Sequence, residues 1–68
     1  MQNQIFFLTY CYGIEIGLVE FDDESLLEDD RNHYEVSGYN TVVRSYDKDD
    51  PIIEELRKHY SYKDRRIN

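Results

Sequence analysis

From Gln4 to Tyr12 the chain reads Gln-Ile-Phe-Phe-Leu-Thr-Tyr-Cys-Tyr, an aromatic and apolar run without the polar spacing of a helix. It predicts a β-strand. Gly13 interrupts the run, and Ile14 to Phe21 (Ile-Glu-Ile-Gly-Leu-Val-Glu-Phe) predicts a second strand. A tight hairpin at Tyr12-Gly13 sets Ile5, Phe7, Thr9 and Cys11 on one face with Ile14, Ile16 and Leu18. The opposite face carries Phe6, Leu8, Tyr10, Tyr12, Val19 and Phe21 and is also largely apolar. A two-stranded unit with two such faces needs a cover on each.

His33-Tyr34-Glu35-Val36-Ser37 and Thr41-Val42-Val43-Arg44-Ser45-Tyr46 read as a second hairpin, joined by Gly38-Tyr39-Asn40, residues that tolerate positive φ. Its register is open by one residue, and with it the face taken by Val42 and Val43. Asp50-Pro51 marks a helix start, with Asp50 as the cap and Pro51 where its missing N–H costs nothing. That helix continues to Tyr60, with Ile52, Ile53, Leu56 and Tyr60 along one stripe and Glu54 paired with Lys58 on the other side. Residues 62–68 read as a frayed tail.

The expected architecture is therefore α+β, a small single domain over residues 1–68. Two β-hairpins form an antiparallel sheet, with an acidic connection between them and one C-terminal helix packed on a face. One helix covers one face. The Phe6, Leu8, Tyr10, Tyr12 face is left open and large enough for an interface, unless the acidic segment folds back and lays Leu26 and Leu27 over it.

Charge alters this picture most at the connection. Glu20 to Asp30 holds seven carboxylates, those of Glu20, Asp22, Asp23, Glu24, Glu28, Asp29 and Asp30, with no Lys or Arg before Arg31. A carboxylate taken out of water needs a partner, and none lies within the run, so all of it is expected at the surface. Asp22 or Asp23 can cap a short helix through Leu26 and Leu27 to Asp30. Asp29 and Asp30 would oppose its dipole, and an ordered loop is the other reading.

With 68 residues the core is thin, and a domain this small seldom exceeds about 3–5 kcal/mol of stability without a staple. A single cysteine, Cys11, excludes an internal disulfide and suits a reducing compartment. Oligomerisation or docking on a partner is the staple left, so a homodimer or a partner-capped monomer is expected. The net charge of −7 argues against direct nucleic-acid binding and for attraction to basic partners. No apolar stretch approaches the ~20 residues of a membrane span, and Met1-Gln2-Asn3-Gln4 lacks the positive region of a signal peptide. The reading is a mature, cytoplasmic chain.

Reactive groups are sparse. One thiol and two scattered histidines, His33 and His59, supply neither a nucleophile–base pair with its orienting group nor the paired ligands of a zinc site. Asp47-Lys48-Asp49 opens like a calcium loop, but Ile52 stands where Gly is needed and Lys58 where a bidentate Glu is needed. No catalytic residue, metal or cofactor is expected. The tail from Arg57 to Arg66 interleaves basic and aromatic residues, as on single-stranded nucleic acid, but equally suits a helix C-terminus or a counter-charge to the acidic run.

These features point to a non-enzymatic binding domain. Carboxylates spaced along a surface imitate phosphates and would compete for a basic, nucleic-acid-binding surface of a protein partner. The candidate contact residues are Glu20, Asp22, Asp23, Glu24, Glu28, Asp29 and Asp30, with Tyr10 and Tyr12, since Tyr gives contact area at low entropic cost. Asp47, Asp49, Asp50, Glu54 and Glu55 can extend the acidic surface. In size, acidity, tyrosine content and lack of catalytic groups the chain resembles inhibitors encoded by phages and mobile elements, a general likeness that no single motif carries. The rival expectation is a small oligomeric structural or accessory subunit that assembles through the aromatic sheet face.

Overall fold

In the computed structural model, which describes residues 3–67, β1 (Gln4–Tyr12) and β2 (Glu15–Phe21) form the expected hairpin. Its two-residue turn is closed by the Tyr12–Glu15 pair, and Gly13 takes a φ of 60° there, a conformation that costs glycine nothing. Helix α1 (Glu24–Val36), strand β3 (Asn40–Asp47), helix α2 (Ile52–Leu56) and strand β4 (Tyr62–Asp64) follow. The four strands lie in the order β3-β1-β2-β4. β1 is antiparallel to both β2 and β3, whereas β4 runs parallel to β2, so the sheet is mixed. The α+β class holds.

The two faces of the hairpin divide as their alternation predicts, and each has its own cover. Leu8, Tyr10, Val19 and Phe21 are buried with Leu27 of α1, flanked by Phe6, Leu26, Tyr34 and Tyr39. On the other side Ile5, Phe7 and Leu18 are buried with Ile53 of α2, flanked by Tyr46, Leu56 and Tyr62. Each such side chain taken from water contributes about 1.5–3 kcal/mol. The thin sheet thus has a core on both sides.

Four expectations are corrected. The second hairpin does not form, because His33 to Val36 are the last turns of α1 and β3 pairs with β1 instead. Leu26, Leu27 and Tyr34 share one side of that helix, and their contact with β1 and β2 outweighs the strand preference of Tyr-Glu-Val read alone. Gly38 is a helix terminator with a φ of 93°. Its N–H donates to the Glu35 carbonyl and that of Tyr39 to the Tyr34 carbonyl, both at 3.0 Å, the paired bonds of a glycine-ended helix.

The acidic connection is the principal helix rather than a loop or short turn. Asp23 caps it, its Oδ1 accepting from the Ser25 N–H at 2.8 Å and the Ser25 hydroxyl at 2.7 Å. The aromatic face expected to stand open is consequently covered by α1. Third, the C-terminal helix stops at Leu56 instead of reaching Tyr60. Asp50 Oδ1 accepts from the Ile52 N–H at 3.0 Å, the expected start, but bonds from Lys58 to Glu55 and from His59 to Leu56 tighten the chain into turns. Ile53 is buried, while Ile52 and Tyr60 are exposed.

Finally, the expected frayed tail is β4, pairing Tyr62, Lys63 and Asp64 with Leu18, Val19 and Glu20. Beyond it the Arg65 N–H reaches the Glu20 carbonyl at 2.8 Å, and the Ile67 N–H reaches Asp22 Oδ1 at 2.9 Å. Asn68, the last residue of that expectation, lies outside the described residues.

Candidate acidic interface

The seven carboxylates of the run separate into structural and displayed groups. Glu20 is the most displaced from expectation: it lies on the α2 face of β2 and is fully buried. Its partners come from far along the chain. Arg57 meets it with two parallel bonds, Nε to Oε1 at 2.9 Å and Nη2 to Oε2 at 2.7 Å. The Tyr62 hydroxyl also donates to Oε1, and Arg66 Nε stands 3.4 Å from Oε2. Burial pushes the Glu20 carboxyl up, but the Arg57 and Tyr62 hydrogen bonds outweigh it and hold the group below its ordinary value. The Tyr62 phenol, buried and bonded to that carboxylate, is pushed up to about 12. This cluster organises the fold and offers no surface to a partner.

Asp22 anchors the tail and Asp23 caps α1. Asp30 is partly buried, 3.5 Å from Arg65. Glu28 shares Arg31 with Glu35, at 3.2 and 3.4 Å. Among the described residues only Glu24 and Asp29 of the run are exposed without a side-chain partner.

Acids of both groups nonetheless gather. A cleft of about 590 Å³ at one end of the sheet is lined by Asp22, Asp23 and Glu24 together with Lys48, Arg66 and Ile67. Lys48 also borders a neighbouring hollow with Asp47 and Asp49. The β2–α1 and β3–α2 connections therefore bring five carboxylates to one end. Arg66, the second cation there, is committed to Asp64 at 2.7 Å and to Glu20. From this end Glu24 and Glu28 continue along α1 one turn apart, with Asp29 beside them. The extension to Asp47 and Asp49 was legible in the charge pattern. What the pattern missed is that Glu20 turns inward, a signal carried only by its place among Leu18, Val19 and Phe21.

The expected tyrosine contacts separate as well. Tyr10 is buried, stacked on Tyr34 with ring centroids 4.0 Å apart, so it offers no contact to a partner. Tyr12 stays 63% exposed at the hairpin tip, against Tyr39. The aromatic sheet face on which the rival subunit reading stood is thus an internal core.

The Cys11 thiol is half-buried and makes no side-chain hydrogen bond among the described residues. His33 packs on Tyr34 and His59 bonds within its own turn to Ser61. Among the described residues no group of three or more His, Cys, Asp or Glu side chains is placed to hold a metal ion, and no helix is long and apolar enough to cross a membrane. The chain matches no protein-family model, and comparison with curated proteins and with solved structures likewise finds no match.

Proposed function

We propose that the chain is a non-enzymatic protein-binding domain that occupies a basic, nucleic-acid-binding surface of a host protein, as a phage or mobile-element inhibitor of a defence or nucleic-acid enzyme would. The observation that carries this reading is the gathering of Asp22, Asp23, Glu24, Asp47 and Asp49 from two connections at one end of the sheet. Glu24 and Glu28 then stand ~6 Å apart along the helix axis, close to two of the ~3.4 Å steps between phosphates on a nucleic-acid strand. A groove built for phosphates meets a comparable row of fixed negative charge, held by a folded scaffold that loses little entropy on binding.

The test reverses Glu24, Asp29, Asp47 and Asp49 to Lys together. Asp22 and Asp23 are left in place because they hold the tail and cap α1. Surface changes of this kind rarely cost more than ~0.5 kcal/mol each, so circular dichroism should report an unchanged fold. The partner captured from the source cells by the wild-type chain is then titrated with both forms by calorimetry. Close charge pairs at such an interface are worth about 1.5 kcal/mol or more each, so the reversed chain should not bind measurably. Binding of equal strength by the reversed chain would remove the acidic end from the interface and this reading with it.

A further inference from the structure

The two edges of the sheet differ. On one side it ends in β4, three residues long and followed by Arg65 and Arg66. On the other it ends in β3, eight residues or about 27 Å long. β3 pairs with β1 in one unbroken register from Gln4–Asp47 to Cys11–Asn40 and contains no proline. The Lys48 N–H donates to the Asn3 carbonyl at 3.1 Å, which sets the phase of the ladder. By the alternation of antiparallel pairing, Asn40, Val42, Arg44 and Tyr46 exchange hydrogen bonds with β1, and Thr41, Val43, Ser45 and Asp47 point their backbone groups outward. No strand among the described residues pairs with that outer row. Val42 and Val43 stand 51% and 39% exposed on it. An edge without bulge or proline is a template for another strand.

We propose that this edge joins two copies of the chain, β3 pairing antiparallel with its counterpart about a twofold axis to make one eight-stranded sheet. Charge selects a second copy as the occupant. β3 carries one Arg and one Asp in a chain of net charge −7, so it is a neutral strip along which two acidic molecules can approach. The antiparallel arrangement also sets the Asp47 end of one copy beside the Asn40 end of the other. The two acidic ends, each with Asp22, Asp23, Glu24, Asp47 and Asp49, then lie at opposite extremes of the dimer. Register adds a second argument. Centred on Val43, the outward groups match in phase, Val43 meets its copy, Val42 faces Arg44 and Thr41 faces Ser45. The in-phase register centred on Arg44 instead opposes two guanidinium groups directly. The strand is therefore self-complementary in the register centred on Val43, as an isologous contact requires.

The contact is independent of the acidic interface, and its salt dependence has the opposite sign. Sedimentation velocity on the whole chain should find a monomer–dimer equilibrium in the micromolar range, as suits a small interface. Added salt screens the repulsion between copies, so the dimer should tighten, whereas binding to a basic groove should weaken. Val43→Pro removes no bond to β1, because that N–H points outward; it should leave circular dichroism unchanged and the chain monomeric. If Val43→Pro does not fold, Val43→Lys makes the same test with a charge on the edge. Hydrogen exchange gives a residue-level readout: the Thr41, Val43 and Ser45 amides should gain protection as protein concentration rises, and those of Val42, Arg44 and Tyr46 should not change. A variant with Glu24, Asp29 and Asp49 reversed to Lys, which leaves β3 (Asn40–Asp47) unchanged, should still dimerise. A monomer at all concentrations, a dimer that Val43→Lys leaves intact, or a β3 edge that takes only a foreign peptide strand would each overturn the proposal.

Discussion

The ring of Tyr10 lies across Gly17, its partner on the neighbouring strand, in the space where a side chain would stand. Tyr34 stacks on the same ring at 4.0 Å, Tyr39 meets it edge-on at 5.5 Å, and the Lys63 ammonium lies 5.5 Å from its centroid. Gly17→Ala places a methyl group inside the ring, and the ring is too confined to move away. The expected cost is that of overpacking a core, about 1–3 kcal/mol, a large share of what a domain this small can have. Urea unfolding would measure it, and combining Gly17→Ala with Tyr10→Leu should recover part of the loss.

Arg57→Ala should be more damaging than any change at the acidic end. It leaves the Glu20 carboxylate buried with its principal partner gone, and breaking a buried pair in this way costs about 3–5 kcal/mol. The variant is expected to be largely unfolded by circular dichroism at 25 °C. Glu20→Leu combined with Arg57→Met removes both charges and should restore a folded chain. Failure of that double variant to regain stability over Arg57→Ala would mean that the pair itself, rather than the stranded charge, holds the tail in place.

Both ends of the pH scale should disturb the same cluster. Arg66 draws the Asp64 carboxyl from 3.8 down to about 2, and Glu20 lies below its ordinary 4.5 despite burial. Depressed carboxyls stabilise the folded state above their unfolded values and lose that contribution as pH falls through the folded ones. Stability should therefore decline from about pH 4.5 toward pH 2. Tyr62 behaves in the opposite sense: its phenol is raised from 10.0 to about 12 by burial and by Glu20. Its contribution is present below pH 10 and lost as pH rises toward 12. Thermal melts across pH 2–12 should fall away in both windows, and Tyr62→Phe should weaken the alkaline one, leaving what the raised Tyr34 and Tyr39 phenols contribute.

The ends of α1 rest on single residues. Gly38→Ala forces a side chain into a φ of 93° and should cost about 1–2 kcal/mol. Asp23→Ala removes the cap and should fray the first turn, whereas Glu24→Ala should be silent. Amide exchange of Ser25 and Leu26 separates the last two.

The first hairpin was legible because its alternation is local. Ile5, Phe7 and Leu18 against Leu8, Tyr10, Val19 and Phe21 follows from a period of two and one glycine turn. The stretch from His33 to Val36 misleads because it resembles a strand in isolation. Its helical membership shows only in the spacing of Leu27 and Tyr34 and in reading Gly38 as a terminator. β3 was recognised as a strand, but its partner is β1 across an intervening helix. The acidic surface was legible as charge. Its subdivision was not, since Glu20 differs from Glu24 only by partners 37 and 42 positions away.

Those separations also set an order of assembly. Glu20 enters the sheet early, as part of the first hairpin, but its neutralising groups are Arg57, Tyr62 and Arg66. Until Arg57, Tyr62 and Arg66 are in place, β2 carries an unmatched carboxylate on its inner face. Burial of that strand waits on those residues, so chains truncated before Arg57 should remain open to proteolysis while chains that carry Arg57 to Arg66 close.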